Sequence, residues 1–303
     1  MKRGRVTPIF REFWPPEVSS LQMVMKSKSG FTLIELLVVI AMIALLTAIL
    51  IPALNIAKQQ AGSAVCLSNE KQLVVAWMMY AENNDYILCG PMTGITGSPR
   101  YDWVGPPRDL MSGAVKTSNF VAAEEIRGIE TGTLFPYYKN AKLMNCPTDK
   151  RSVRAPTYPG YGGTGGYRTY SLPYHLNAPA AELTSRYGAA AGADRLVRIT
   201  ELKNPGSTYI LVEENDNRDY NMDAWAFDPY KFILIDTIAV FHNNITMFGY
   251  ADGHSAKKTW DDPRTQRWSN EIRNGTRYPD MTGLSDPDNV DIRWLAMHYP
   301  RKH

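Results

Sequence analysis

One stretch decides how this chain begins to fold: Lys26–Pro52, which reads KSKSGFTLIELLVVIAMIALLTAILIP. Within it, Phe31–Ile51 is a run of 21 residues with a single charged side chain, Glu35. At about 1.5 Å per residue, a helix of this length spans about 31 Å, which matches the hydrocarbon core of a bilayer. A lone carboxylate is expensive in lipid and needs a partner or a purpose. The sequence therefore predicts a membrane-spanning helix that contains one functional acid.

Basic residues precede the apolar run. Lys26 and Lys28 lie just before it, and such an excess of positive charge holds the N-terminus in the cytoplasm. Residues 1–30 hold six Lys or Arg and two Glu, a net charge of +4, whereas the whole chain carries +3. The chain after Gly30 therefore carries −1. The slightly basic isoelectric point of the whole chain comes from the first thirty residues, so we expect no nucleic-acid partner.

The start of the run resembles the N-terminus of type IV pilins and of type II secretion pseudopilins. Gly30, Phe31, Thr32, Leu33 and Glu35 carry this resemblance, together with the apolar residues that follow. The resemblance implies that a prepilin peptidase cuts after Gly30 and that the new N-terminus, Phe31, is N-methylated. It also implies that Glu35 pairs with the terminal amine of a neighbouring subunit, since two opposite charges together cost less in lipid than each alone.

The resemblance leaves the beginning of the chain open. Residues 1–30 would be a long leader peptide, whereas translation from Met23 or Met25 would give a short one. An ordinary secretory signal is cut after its apolar core. Here the expected cleavage site precedes the core, so the helix is retained. A simple signal anchor is the alternative.

The helical pattern continues beyond the apolar run. Apolar residues recur at three- and four-residue spacing up to Tyr80, which predicts an amphipathic continuation over residues 52–84. Pro52 is expected to kink this helix rather than end it.

Residues 85–303 remain for a globular head. Gly, Pro and Tyr dominate to about residue 180 and predict loops, and a weakly helical stretch follows. Strands are predicted at residues 207–214, 231–241, 244–253 and 254–260. Alternation in 244–253 predicts one buried face, and the charged last forty residues predict surface structure or a tail. The predicted fold class is α+β and pilin-like: a long helix packed on a small antiparallel sheet.

A second resemblance lies further along the chain. His242 is followed by nine residues and then Asp252-Gly253, the H-x9-D-G spacing of a large group of prepilin-like proteins of planctomycete and verrucomicrobial type. The segments CLSNEKQL, MYAENNDY, GTLFPYY, NCPTD and NPGSTYILVEE are further landmarks of that group. The resemblance assigns the motif no role. The residues themselves predict a hairpin turn, because Gly tolerates positive φ and Asp bonds the turn backbone.

Metal binding is the other interpretation of this region. Major secretion pseudopilins bind calcium in a C-terminal loop, and calcium prefers clustered oxygen ligands. The candidate calcium ligands are Asp252, Glu213, Glu214 and Asp216. A transition-metal pair of His242 and His254 with Asp252 is a second candidate. Beyond calcium, no cofactor is predicted.

The chain has three cysteines, Cys66, Cys89 and Cys146. The head is expected outside the cytoplasm, where disulfides persist, and Cys66 and Cys146 match the positions of the cysteines usual in the resembling family. The resemblance thus implies a Cys66–Cys146 bridge, with Cys89 free. It would close an 81-residue loop and contribute about 2–4 kcal/mol. Two cysteines so far apart in sequence do not suggest a zinc site.

These features predict a structural subunit and not an enzyme. We expect a type II secretion pseudopilin of the bacterial inner membrane with an extracytoplasmic head, assembled with other pseudopilins on an inner-membrane platform. Pilus and DNA-uptake filaments are equally compatible. In one alternative, the helix is only an anchor and exposed aromatics such as Trp103 and Trp225 bind polysaccharide or protein. In another, an anchored hydrolase uses His242, Asp252 or Glu213, which would have to converge on one pocket.

Overall fold

The computed structural model describes residues 30–93, 102–153, 163–164, 166–216, 221, 223–273 and 284–302. The chain divides into two compact units, Met1–Pro52 and Ala53–His303. Except for Gly30, the predicted leader lies outside the described residues.

A long helix, α1, occupies Leu33–Asn83 and continues through Pro52, so the predicted continuation of the helix past the proline is confirmed. Its buried residues begin at Gly62 and recur every three or four positions, which places them on one face. That face includes Cys66, Leu73 and Trp77.

The remaining helices that the structure describes are short. They are α2 (Ala122–Ile129), α3 (Phe135–Tyr138), α4 (Ala180–Tyr187), α5 (Ala189–Ala193), α6 (Pro263–Arg273) and α7 (Val290–His298). Single 3₁₀ turns lie at Ala141–Met144, Arg151–Val153, Ile199–Glu201 and Pro205–Ser207. The helices α4 and α5 lie within the stretch predicted as weakly helical.

The strands are mostly short as well. They are β1 (Phe120–Val121), β2 (Gly163–Thr164), β3 (Tyr170–Ser171), β4 (Tyr209–Glu213), β5 (Phe227–Asp228), β6 (Ile233–Leu234), β7 (Ile245–Tyr250), β8 (Ser255–Thr259) and β9 (Leu284–Ser285). The central sheet has the order β3-β4-β7-β8, with antiparallel pairs throughout. The α+β prediction, a long helix followed by antiparallel sheet, is therefore confirmed.

One predicted strand is wrong over most of its length. Within residues 231–241 only β6 forms, and it pairs with β5 and β9 in a separate three-stranded sheet. The rest of this apolar run is buried without a ladder, although Ile238 makes an isolated bridge to Glu214. This run is mostly apolar but has no regular alternation, and Asp236 and Thr237 interrupt it, so it indicates burial and not strand geometry.

One face of the central sheet packs against α1. Leu73, Val74 and Trp77 of the helix join Leu211 and Met247 of the sheet in one hydrophobic cluster. The Ser255 hydroxyl of β8 also donates a 2.8 Å hydrogen bond to the carbonyl of Leu67 in the helix. The predicted packing of helix on sheet is therefore present within the second unit.

The other face of the sheet is covered too. Trp268 of α6 and Leu295 of α7 pack with Val212 and Phe248 in a second hydrophobic cluster. The prediction that the strand at 244–253 is buried on one face is therefore wrong, since every residue of β7 after Ile245 is buried. The last forty residues were predicted to be surface structure or a tail, and the packing of their helices contradicts this. The last forty residues are rich in charge, yet their helices keep a few large apolar side chains on the inner side.

Candidate functional site

The N-terminus of α1 has a reciprocal cap. The Glu35 carboxylate accepts hydrogen bonds from the Thr32 backbone N–H at 2.9 Å and from the Thr32 hydroxyl at 2.8 Å. The Glu35 N–H donates to the Thr32 hydroxyl at 3.2 Å. This is a capping box, in which residues three apart satisfy donors that the first turn leaves free. The T-x-x-E spacing at Thr32 signals this cap, although the sequence analysis did not use it.

The helix that follows this cap has an exposed apolar surface. Large apolar side chains from Leu33 to Ile51 are exposed, and an 18-residue window of α1 has a mean hydropathy of 2.9. By length and composition, α1 is the one helix in the described part of the chain that could cross a membrane. Gly30 lies before the helix and is exposed, and apart from its chain neighbours no atom of the described residues lies within 4 Å of the place a Cβ would occupy. In chain order, an exposed Gly30, a capped helix N-terminus and an exposed apolar helix therefore follow one another.

A second group of chemically active side chains lies inside the second unit. Cys66 of α1, Cys146, Glu213 at the end of β4 and His242 are all buried, and their ligand atoms all lie within 4.8 Å of one another. His242 Nε2 lies 3.2 Å from Cys146 Sγ and 3.3 Å from Glu213 Oε1. We call these four residues the buried cluster.

Local packing fixes the positions of these residues. The Thr148 hydroxyl lies 2.9 Å from Cys146 Sγ, and the Met247 N–H donates to Glu213 Oε2 at 2.9 Å. Helix α1 passes close by at Gly62, where an added Cβ would lie 2.7 Å from the Thr148 methyl carbon. Only glycine permits so close an approach at this point.

The protonation states within the buried cluster are coupled. Burial opposes charge on every member, yet hydrogen bonds from Cys66 and His242 prevail at Cys146 and lower its pKa to about 5. In the same way, hydrogen bonds to Cys146 and Glu213 outweigh burial at His242 and raise its pKa to about 9. Burial raises the pKa of Glu213 to about 7. The balance favours a thiolate at Cys146 beside an imidazolium.

The buried cluster does not have the geometry of a catalytic relay. In such a relay one imidazole nitrogen faces the nucleophile and the other faces the acid. Here Cys146 and Glu213 both face Nε2 of His242, while Nδ1 has no hydrogen-bond partner among the described residues. Of the residues considered for a hydrolase, His242 and Glu213 converge, but Asp252 does not join them.

The predicted calcium set is dispersed. Asp252 sits on the β7–β8 turn, where its Oδ1 lies 2.5 Å from Nδ1 of His254. Glu213 lies beside Met247 in β7, five residues before Asp252, which corresponds to about 16 Å along an extended strand. Glu214 contacts the Ser171 hydroxyl instead, because successive strand residues point to opposite faces. Asp216 is buried but stands apart from Asp252 and from the buried cluster, and part of the acidic run lies outside the described residues.

The same separation divides the H-x9-D-G motif and the proposed histidine pair. His242 belongs to the buried cluster, whereas His254 is on the exposed turn with Asp252. Asp252-Gly253 forms the predicted hairpin turn, with Gly253 at φ +99° and the Asp252 carboxylate accepting from the His254 N–H at 3.1 Å. The nine intervening residues carry β7 between the two ends.

The two predicted disulfide partners do come together. Cys66 and Cys146 are both in the buried cluster, although they are separate thiols in this structure. The bridge between them therefore stays a prediction. Sequence alone did not predict that Glu213 and His242 join the two cysteines. It also did not predict that Glu70, one turn after Cys66, is buried beside them. The C-x-x-x-E spacing was the available signal for Glu70, since it places both residues on one helix face.

Comparison with known proteins bears on the N-terminal segment. Residues 25–51 match the family model of the prokaryotic N-terminal methylation motif. Over 63 residues the chain is 46% identical to the type IV wide pilus major component PilA4 of Thermus thermophilus, an alignment that covers 20% of this chain. The chain spans about half the length of that curated relative, 48%. No solved structure matches the chain. The predicted resemblance is thus confirmed: this chain bears a prepilin-type methylation motif at residues 25–51 and is similar over 63 residues to a type IV pilin.

Proposed function

We propose that this chain is a structural subunit of a filament of the type II secretion or type IV pilus kind. The observation that carries the proposal is the capped, uncovered apolar helix whose only early charge, Glu35, lies one turn behind the Gly30–Phe31 bond. The methylation motif matched over residues 25–51 supports it.

In this proposal a prepilin peptidase cuts after Gly30 and Phe31 is N-methylated. The helix holds the subunit in the inner membrane, with the N-terminus cytoplasmic before cleavage and the head outside. The apolar helices of neighbouring subunits then pack together on an inner-membrane assembly platform. Glu35 of one subunit meets the terminal ammonium of the next, because a pair of opposite charges is tolerated in lipid where a single charge is not.

The interpretation as an anchored binding module has less support. Its aromatic platforms would have to be exposed, yet Trp103 and Trp225 are fully buried and pack in the hydrophobic clusters. Trp77 and Trp260 are buried as well. Within the described residues the large aromatics mainly close the core.

Processing is tested by co-expressing the full chain with and without its prepilin peptidase. Intact mass and N-terminal sequencing should show a peptidase-dependent species that starts at N-methylated Phe31. A Gly30→Val variant should stay uncut, because a branched side chain then occupies the open site before the scissile bond. The same N-terminus with and without the peptidase would contradict the proposal.

Assembly is tested separately with Glu35→Gln. The amide can still accept the Thr32 hydrogen bonds, so the cap is kept while the charge is lost. We expect normal cleavage but a roughly ten-fold loss of subunit–subunit crosslinks in the membrane, equivalent to about 1.4 kcal/mol. Glu82→Gln, at the exposed far end of the same helix, is the matched control and should crosslink like the wild type. Equal crosslinking of Glu35→Gln and wild type would contradict a role of the Glu35 charge in assembly.

A further inference from the structure

We propose that Cys66, Cys146, His242 and Glu213 bind one zinc ion in a closed, structural site. Nothing in the methylation motif or in the similarity to a pilin requires such a site, so it stands apart from the filament proposal.

The first argument is the spacing of the ligand atoms. Zinc binds sulfur at about 2.3 Å, nitrogen at about 2.0–2.1 Å and carboxylate oxygen at about 2.0–2.2 Å in a tetrahedron, which places neighbouring ligand atoms about 3.3–3.8 Å apart. His242 Nε2 lies 3.2 Å from Cys146 Sγ and 3.3 Å from Glu213 Oε1, and all four ligand atoms lie within 4.8 Å of one another. Small adjustments would give the tetrahedral edges.

The second argument is the direction of these contacts. A sulfur and a carboxylate oxygen converge on the same imidazole nitrogen, Nε2 of His242. A hydrogen-bonded relay would divide them between the two ring nitrogens. Four donor atoms so close together can surround one cation, and once the Nε2 proton of His242 is displaced each of them offers a lone pair to it.

The third argument is the surplus of buried acid. Glu70 is fully buried, and neither of its carboxylate oxygens has a hydrogen-bond partner among the described residues. It lies close enough to Cys146 and Glu213 for their charges to interact. Buried polar groups without partners are costly. A divalent cation near Glu70 would give this buried carboxyl a charge partner that the described residues do not supply.

The donor set selects the metal. Two sulfurs and one imidazole are poor ligands for calcium, which takes six to eight oxygens, but suit zinc. Four protein donors without solvent exposure make a closed site, as in structural zinc centres. Thr148 beside Cys146 and the Met247 N–H on Glu213 supply the outer contacts that orient such ligands. The ion would tie α1 to the central sheet.

Zinc binding and a Cys66–Cys146 disulfide exclude each other, because both use the same two sulfurs. Zinc displaces the Cys66 thiol proton and the His242 Nε2 proton to solvent and forms two S–Zn bonds without any change of oxidation state. A disulfide instead needs an oxidant to remove two electrons and two protons. The two states therefore differ in metal content and in mass.

The test uses the full chain, purified in detergent without chelator or added metal. Metal analysis should find about one zinc per chain in the wild type and in Cys89→Ser, which alters a buried cysteine outside the buried cluster. The Cys66→Ser and Cys146→Ser variants should each retain at most about one tenth of the zinc of the wild type. Cobalt exchanged into the wild type should give a thiolate charge-transfer absorption, which decides the matter even if the serine variants fail to fold.

Three results would overturn the proposal. A wild-type chain lighter by two hydrogens, in which only Cys89 is alkylated after denaturation without reductant, would show a disulfide. Free thiols with neither zinc nor a cobalt–thiolate band would show a hydrogen-bonded cluster. Zinc that persists in folded Cys66→Ser and Cys146→Ser would be bound elsewhere.

Discussion

His175 shows how burial acts on a single residue. Its Nδ1 lies 3.1 Å from the Tyr299 hydroxyl, and its Nε2 has no hydrogen-bond partner among the described residues. Burial lowers the pKa of His175 to about 4, with Asp194 opposing this shift and Arg301 adding to it. The imidazole is therefore neutral in the folded chain across the neutral and mildly acidic range.

We expect a His175→Gln chain to lose less stability on acidification than the wild type. The folded pKa lies below the ordinary value of 6.5, so as the pH falls through 6.5 the unfolded chain takes up a proton that the folded chain does not. The wild type thereby loses up to roughly 2–3 kcal/mol more by about pH 4. Urea denaturation of the detergent-solubilised chain at several pH values measures this difference.

Tyr299→Phe is the matched control for this prediction. It removes the hydroxyl partner but keeps the imidazole, so it should be less stable at every pH with the acid dependence of the wild type. Carboxyls with raised pKa, such as Asp102 at about 7, are common to all three chains and cancel in the comparison. Parallel pH profiles of wild type and His175→Gln would contradict the assignment.

Sequence alone predicts only part of the candidate site. Gly30, Phe31 and Glu35 follow one another along the chain, so a local pattern reveals them. The buried cluster draws its residues from a helix, a loop, a strand end and a turn. Its members are up to 176 positions apart, from Cys66 to His242. Only the tertiary packing brings them together, and no local periodicity encodes that.

Among the elements, the two C-terminal helices contribute more to the fold than their composition suggests. Leu295 of α7 is fully buried in the cluster that covers the outer face of the central sheet, with Trp268 of α6. Helix α6 is polar and has few hydrophobic residues, whereas six of the nine residues of α7 are apolar. The helix α7 is also capped, since the Asn289 side chain accepts from the backbone N–H groups of Asp291 and Ile292.

We expect Leu295→Ala to lower the free energy of unfolding by about 2–5 kcal/mol, because it leaves a cavity beneath the sheet. Met297→Ala, on the same helix but 69% exposed, should stay within about 0.5 kcal/mol of the wild type. Urea denaturation of the two variants provides the comparison. Equal stabilities would mean that α7 is not part of the core.

The β7–β8 turn gives a smaller, backbone effect. Gly253 has φ +99°, a conformation that strains any residue with a side chain. Space is available, because an added Cβ would make an ordinary 3.5 Å contact with the Met78 sulfur. Gly253→Ala should therefore destabilise the chain by about 1–2 kcal/mol through backbone strain alone. Asp252→Asn keeps an acceptor for the His254 N–H and should cost less. A neutral Gly253→Ala would show that the turn relaxes without penalty.

The elements differ in how far sequence alone predicts them. The helix α1 and strands β4, β7 and β8 have strong local patterns and were predicted. The covered outer face was not predicted, because α6 has few apolar residues and α7 is a short helix within a charged segment. Whether a strand is buried on one face or both depends on what packs there, which the strand itself does not encode.

For the whole molecule, charge is divided unevenly along the sequence. The first thirty residues carry a net charge of +4 and the whole chain +3, so the remaining residues carry −1. We expect peptidase-dependent cleavage to move the protein from an isoelectric point near 8.6 to one below neutral. Isoelectric focusing in detergent measures this, with Gly30→Val as the uncut control. A basic product after exposure to the peptidase would place the cut elsewhere.

The Thr32–Glu35 cap has a consequence for the life of a single subunit. An isolated chain already has partners for its carboxylate, supplied by its own first turn. In the proposed filament, Glu35 would exchange these hydrogen bonds for the terminal ammonium of a neighbouring subunit. The cap supplies hydrogen-bond donors but no positive charge, so an isolated subunit would keep a single charge in the bilayer and the charge pair would favour its recruitment.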